Sequence, residues 1–424
     1  MSRSEELFRR AKGLMPGGVS SPVRAYPPYP RFVRSGKGSR IVDVDGKEYV
    51  DYCMAFGPLI LGHAPPPVVR AVKRAAASGS LFGAPTESEV VLGEKIREHY
   101  PAAEMMRFTN TGTEATMHAI RLARGFTGRR KVIKVDGGYH GAHDSMLVKA
   151  GSGAIASGLP SSLGVLEDTA KHTVVVPFND TDSVRRAIEN SKGDAAAMIL
   201  EPVLGNIGPV LPNANYLREL RELTREKDVL LIFDEVITGF RLGLGGAQEK
   251  FGIRPDLFTL GKIVGGGYPM GVIAGRKDIM GNLAPSGGVY QAGTFSGNPI
   301  SVAAGLETLR ELERRGYDLL ERRSRKLTKG LKDLVSRMPI DCQVNGIGSM
   351  FQVFFTRSKL SNLADVLTSD TKRFTRLFEG LLEQGVYVPA SQFETNFLSM
   401  AHTEKDVQFT LAAYEEALKG VAMA

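Results

Sequence analysis

The segments VLLIFDEVITGFR (229–241) and PDLFTLGKIVGGGYPMGVIAG (255–275) decide how this chain is read. Val229–Phe233 and Leu257–Leu260 are short apolar runs without alternation, the pattern of strands buried on both faces. Each ends on charge. Asp234 and Glu235 follow the first run, and Lys262 follows the second after a single glycine. Similar runs recur outward from there: KVIKV (131–135), AAAMIL (195–200) and GVIAG (271–275). Helical patterns separate them, so the expected fold is α/β, a mainly parallel sheet covered on both sides by helices.

Three regions follow from the texture of the chain. Residues 1–64 read as an N-terminal segment of helix, proline-rich loop (Pro22 to Pro30) and hairpin RIVDVDGKEYVDY (40–52), turning at Asp45-Gly46. Residues 65–305 form the large sheet domain. Residues 306–424 read as a smaller α+β domain, opening on a long charged helix. It holds a strand in SMFQVFF (349–355) and a helix in FTRLFEGLLEQG (374–385). Phe374, Leu377, Phe378, Leu381 and Leu382 mark one face of that helix, and Gly385 is its stop.

Net charge is +8, but stretches such as RELTREKD (221–228) interleave acids and bases, so no basic block points to nucleic acid. The two cysteines, Cys53 and Cys342, lie far apart with no CxxC, which excludes a disulfide framework and fits a reducing compartment. No apolar run approaches the ~18 residues that span a bilayer, and the first residues lack a secretory apolar core. A cytoplasmic protein without a membrane partner is expected. His140 and His143 have no further clustered ligands, so no metal is expected.

Ligands of open parallel sheets bind at the carboxyl ends of the strands. That rule brings Glu201, Asp234 and Lys262 to one edge. A lone carboxylate and lysine there read as a structural ion pair. Gly261, Gly265, Gly266, Gly267 and Gly271 crowd about Lys262, however, and glycine permits close backbone approach to a ligand. A partly desolvated lysine favours its free amine, the form that attacks an aldehyde to give a Schiff base. Asp234 would hold a pyridine nitrogen protonated. TNTGTEATMHAIRLARG (109–125) opens a helix, with Thr111 and Glu114 as a capping box and Gly125 as the stop. Its start suits a phosphate, with Gly112 giving close approach and Thr113 a hydroxyl. By itself it serves as well as an ordinary helix cap. Tyr139, in GGYHGAHDS (137–145), either stacks on a flat ring or packs the loop.

These segments, with YQAGTFSGNP (290–299), resemble the class III aminotransferases, fold-type-I enzymes of pyridoxal phosphate. PGGVSSPVRAY (16–26), GPLILGHA (57–64), FGAPT (82–86), EPVLGNIG (201–208) and SQFETNFLSMAHTEKD (391–406) resemble the aminomutase branch of that family. The similarity runs from about residue 5 to 418. It implies that Lys262 carries the cofactor and shuttles protons, while Asp234 pairs with the pyridine nitrogen. Val236 and Tyr139 would cover the two ring faces, Gly112 and Thr113 would take the phosphate, and Asn206 would lie near the ring hydroxyl. Thr294 would reach the phosphate of the neighbouring protomer, making the enzyme a homodimer with shared sites. Ser21, Arg24 and Glu394 would be substrate-side residues, Arg24 on a carboxylate. Phe56 stands where an aromatic, usually Trp, is expected, and Thr395-Asn396 replace a small pair beside Glu394.

The implied reaction converts (S)-4-amino-5-oxopentanoate to 5-aminolevulinate through 4,5-diaminovalerate, starting from and regenerating pyridoxamine phosphate, in tetrapyrrole synthesis. The alternative is an ω-aminotransferase with separate donor and acceptor. A mutase must retain its diamine, and AGSGAIASGLPSSLG (150–164) has the length and small residues of a lid.

Overall fold

A hairpin needs a residue that stabilises its turn, and Asp43 does this near the N-terminus. Its carboxylate accepts from the Asp45 and Lys47 N–H groups at 3.0 and 2.8 Å, and Gly46 supplies φ 90°. Strands β1 (Val33–Lys37), β2 (Arg40–Asp43) and β3 (Glu48–Asp51) run antiparallel around it. The computed structural model describes residues 1–148 and 162–423. Its residues group into two units, and β1–β3 belong to one made from both ends of the chain: Met1–Pro65, Asp318–Lys359 and Asp365–Ala424.

The other unit, Pro66–Tyr317 with Leu360–Ala364, holds the large sheet. Its strands are β4 (Met105–Thr109), β5 (Lys131–Val135), β6 (Thr173–Val176), β7 (Ala195–Leu200), β8 (Leu230–Glu235), β9 (Leu257–Leu260) and β10 (Gly271–Gly275). They lie in the order β4-β10-β9-β8-β7-β5-β6. The run from β9 to β6 is parallel, and β10 is antiparallel to both its neighbours. Every residue of β7 and β8 is buried, as their unbroken apolar runs require. The helix Gly112–Thr127 lies on this sheet. Its small Ala115, Ala119 and Ala123 bring it close to Val132, Ala197, Ile199 and Ile232. The expected mainly parallel α/β sheet is the observed one.

Two local readings change. Helix Gly112–Thr127 does not stop at Gly125 but runs on to a left-handed Gly128 at φ 68°. Gly125 has a packing role instead, since a Cβ there would come within 2.5 Å of Val289 Cγ2. The long charged helix expected after residue 305 is two helices, Pro299–Arg315 and Asp318–Val335, broken at Gly316 with φ 63°.

Returning to the first unit, β11 (Gln343–Ile347) and β12 (Met350–Phe354) form a hairpin. β13 (Val386–Tyr387) pairs in parallel with β3, and β14 (Asn396–Phe397) pairs with β12. Helix Thr371–Glu383 buries Phe374, Leu377, Phe378, Leu381 and Leu382, the face read from the sequence, and Gly385 follows at φ 82°. The stretch expected to be a lid, 150–164, lies outside the described residues except for its last three.

Candidate active site

Because β7, β8 and β9 are parallel, their carboxyl ends share one edge of the sheet. Asp234 is the penultimate residue of β8 and sits opposite Thr259 of β9. Glu201 follows β7, and Lys262 opens a short turn, Lys262–Gly265, after β9. These three side chains border a cavity of about 210 Å³. Gly112 and Thr113 reach it from the helix start, Tyr139 and His140 from the loop after β5, and Asn206 and Val236 complete its wall.

Asp234 is almost fully buried and is held from three sides. Its Oδ2 lies 2.8 Å from His140 Nδ1, while Oδ1 accepts from Val236 N at 3.1 Å and Thr259 Oγ1 at 3.2 Å. His140 is fixed in turn, its carbonyl 2.6 Å from Thr116 Oγ1. Lys262 has φ 49°, a left-handed conformation that costs a non-glycine residue ~1–2 kcal/mol. Such strain persists only where the surroundings enforce it, and Gly266 at φ 59° closes the same turn.

Glycines let the walls approach. A Cβ on Gly112 would come within 2.9 Å of Val236, and one on Gly141 within 2.6 Å of Thr113. The Thr111 side chain accepts from Glu114 N at 3.1 Å. Glu114 itself reaches back one residue further than a capping box does, to Asn110 N at 2.8 Å. The helix start still presents its first N–H groups and positive dipole end toward the cavity.

Glu201 is buried and accepts from Tyr139 N, Gly205 N and Asn206 Nδ2, each at 2.9 Å. Burial pushes its carboxyl above the usual range, against the pull of nearby His140. Burial likewise pushes His143 down to about 4, so it is neutral at ordinary pH.

A pyridoxal phosphate group fits these residues. Its phosphate has a helix start with a hydroxyl beside it, its pyridine nitrogen a carboxylate already oriented by a histidine, and its aldehyde a lysine amine. His140 Nε2 is buried and has no hydrogen-bond partner among the described residues, so the ring offers polar capacity that the protein leaves unused.

Thr294 is exposed and lines a separate surface concavity with Phe82, Thr86 and Glu89. Ser21, Arg24 and Glu394 belong to the other unit. Ser21 precedes the turn Pro22–Arg24, and Arg24 borders a cavity of about 410 Å³ with Phe56 and His63. Met54, Ala55 and Phe56 all have positive φ there. Asp51 holds this strained turn by accepting from Cys53 N and Met54 N at 2.8 and 3.1 Å, and its other oxygen lies 2.7 Å from His63 Nε2. Glu394 is buried, its carbonyl accepting from Gln352 Nε2. Sequence reasoning did not single out His140 and Thr259 as partners of Asp234. The available signal was a histidine beside Tyr139 and a hydroxyl in an otherwise apolar strand.

Glu98, His99 and Glu313 bring three potential ligand atoms together, and Lys95 Nζ, 2.6 and 3.1 Å from the two carboxylates, sets one positive charge beside them.

The profile of the aminotransferase class-III family matches residues 22–406. Glutamate-1-semialdehyde 2,1-aminomutases of Methanothermobacter thermautotrophicus and Methanococcoides burtonii are each 54% identical, over 419 and 420 residues, with 99% of both chains covered in each case. Among solved structures, an omega-transaminase from Sphaerobacter thermophilus superposes with TM-score 0.93 at 34% identity, covering 99% of this chain and 98% of its own. A glutamate-1-semialdehyde-aminomutase from Pseudomonas aeruginosa gives 0.88 at 26% identity, covering 99% and 94%. The chain belongs to the class III aminotransferase family.

Proposed function

We propose that this protein is an isomerase that converts (S)-4-amino-5-oxopentanoate, glutamate-1-semialdehyde, to 5-aminolevulinate, a precursor of tetrapyrroles. It does so by intramolecular amino transfer on pyridoxal phosphate and its pyridoxamine form. The observation that carries the chemistry is the cavity where a strained Lys262 meets an Asp234 held by His140. The choice of substrate is carried by full-length identity to aminomutases.

When bound, pyridoxal phosphate supplies an aldehyde that exchanges amines and a pyridinium ring that accepts electrons from a carbon–hydrogen bond. The protein supplies the rest. Asp234 holds the proton on the pyridine nitrogen, and its bonds to His140, Val236 N and Thr259 keep it aimed. The Lys262 amine would carry the proton between the reacting substrate carbon and the cofactor carbon that bears the migrating nitrogen, in one direction in the first half-reaction and in the other in the second. The helix start at Gly112 and Thr113 anchors the phosphate. Tyr139 and Val236 would cover the two ring faces, and Asn206 would stand near the ring hydroxyl. Ser21, Arg24 and Glu394 are the substrate-side residues on this reading, Arg24 for the carboxylate. Their support is the resemblance of the segments that carry them.

The protein acts as a homodimer, with Thr294 serving the partner's phosphate. Support comes from Thr294's exposure among the exposed aromatics Phe82, Tyr290 and Phe295. We place it in the cytoplasm because Cys53 and Cys342 are free thiols. Among the described residues no helix is long and apolar enough to cross a membrane. Acids and bases interleaved along the sequence, as in 221–228, speak against a nucleic-acid partner.

The TM-scores favour an omega-transaminase over the aminomutase, 0.93 against 0.88. Backbone similarity within one family reports fold more than substrate, so the 54% identity weighs more. One assay separates the two. Glutamate-1-semialdehyde given alone to the pyridoxamine-loaded enzyme should yield 5-aminolevulinate over many turnovers. A strict requirement for a second keto acid would establish the transaminase instead.

A further inference from the structure

Strand β5 leads into the loop that carries Tyr139, and it is apolar except for its lysines. It buries Val132, Ile133 and Val135, and it buries Lys134 just as completely. An ammonium without water needs partners. Lys134 Nζ donates to two carbonyls of the loop, Gly138 at 3.0 Å and Met146 at 3.2 Å. Glu201 grips the same loop from β7, the neighbour of β5 in the sheet, accepting from Tyr139 N at 2.9 Å. The Gly138 carbonyl and the Tyr139 N–H are the two ends of one peptide unit. A cation therefore holds its oxygen and an anion its nitrogen, both matched to the peptide dipole and both charge-assisted. Burial pushes Lys134 down to about 8, while Asp136 and Glu201 act to keep its proton on.

Tyr139 is 38% exposed, so the peptide plane from which it projects contributes to where its ring points. We propose that Lys134 and Glu201 clamp the Gly138–Tyr139 peptide and thereby aim Tyr139 at the cofactor ring, which makes both of them positioning residues. The second oxygen of Glu201 holds Gly205 N and Asn206 Nδ2, so one carboxylate ties together the two loops that meet the ring. The proposal rests on Tyr139 being the ring-stacking residue.

The test is a titration of apoprotein with pyridoxal phosphate, read by the visible absorbance and circular dichroism of the bound chromophore, with Tm measured alongside. Tyr139→Ala is expected to weaken binding more than tenfold. Lys134→Met and Glu201→Gln are each expected to weaken it about tenfold, the order of one charge-assisted contact to the Gly138–Tyr139 peptide, and to reduce the dichroism of the cofactor that still binds. Lys134→Met placed on Tyr139→Ala should add less than about twofold, since both act through one peptide. If Lys134→Met does not accumulate as folded protein, Lys134→Gln on Tyr139→Ala makes the same comparison, since Glu201 also holds Asn206. Three outcomes overturn the clamp: clamp variants that bind as the parent does, variants that lose only Tm, and a full tenfold loss that persists without the tyrosine ring. Unchanged binding by Tyr139→Ala would instead refute the stacking role and remove the clamp's purpose with it.

Discussion

Glu235 sits beside Asp234 on β8, yet it faces a different environment. It is fully buried and accepts from Thr238 Oγ1 at 2.9 Å, Ala247 N at 2.6 Å and Gln248 Nε2 at 3.0 Å. Burial outweighs these bonds and pushes its carboxyl up to about 7. The folded state thus binds this proton more tightly than the unfolded chain. The stabilisation is complete below about pH 4.5 and is lost as pH rises through 7. Glu235→Gln cannot titrate. Between pH 5 and pH 8 the parent should lose on the order of 3 kcal/mol relative to that variant, measured by urea unfolding at both pH values. Parallel pH profiles for the two proteins would mean that Glu235 is not the titrating group. Asp234, its neighbour, turns instead toward His140, whose Nδ1 lies 2.8 Å away. The sequence marked both carboxylates as strand-end candidates. Only Asp234 was read as the partner of a pyridine nitrogen; the groups that hold Glu235, on the segment after β8, were not legible.

At the scale of elements, helix Gly112–Thr127 joins the phosphate end of the site to the core, and Gly125 shows what limits it. Replacing a helix-interior glycine with alanine ordinarily stabilises by ~1 kcal/mol. Here the added Cβ would meet Val289 Cγ2 at 2.5 Å, and overpacking costs ~1–3 kcal/mol. Gly125→Ala should therefore lower Tm. Adding Val289→Ala should recover part of that loss beyond the sum of the single effects, and strict additivity in thermal melts would argue against the clash. The strands teach a related lesson. The five apolar runs named from the sequence are the inner strands β5, β7, β8, β9 and β10, each with two partners. The two that were not named, β4 (MMRFT) and β6 (TVVV), are the sheet's edges. An edge strand is half-exposed and need not be apolar throughout, so its pattern is weak. Likewise Asp234 and Lys262 were legible from strand-end position and glycine crowding. Lys134 and Glu201 were not legible as a pair, because their link is a peptide unit seen only once β5 and β7 lie side by side.

For the whole molecule, the shared-site reading makes a sharp prediction. If Thr294 serves the partner's cofactor, mixing Lys262→Ala chains with Thr294→Ala chains should rebuild one intact site per heterodimer. The mixture should then exceed either homodimer, and each heterodimer should approach half the activity of a parent dimer. No gain in a sample shown to contain heterodimer would place Thr294 in its own chain's site. The division into units carries a further consequence, for synthesis. The unit that holds β3 also needs β13, which pairs Val386 with Val50 and emerges over three hundred residues later. At ~5–20 residues per second a ribosome takes tens of seconds to cover that distance. The middle of the chain can fold while it is still tethered, but the first strands must wait, exposed, for a partner not yet made. A nascent chain halted before β13 would carry a protease-sensitive leading end ahead of an already resistant body.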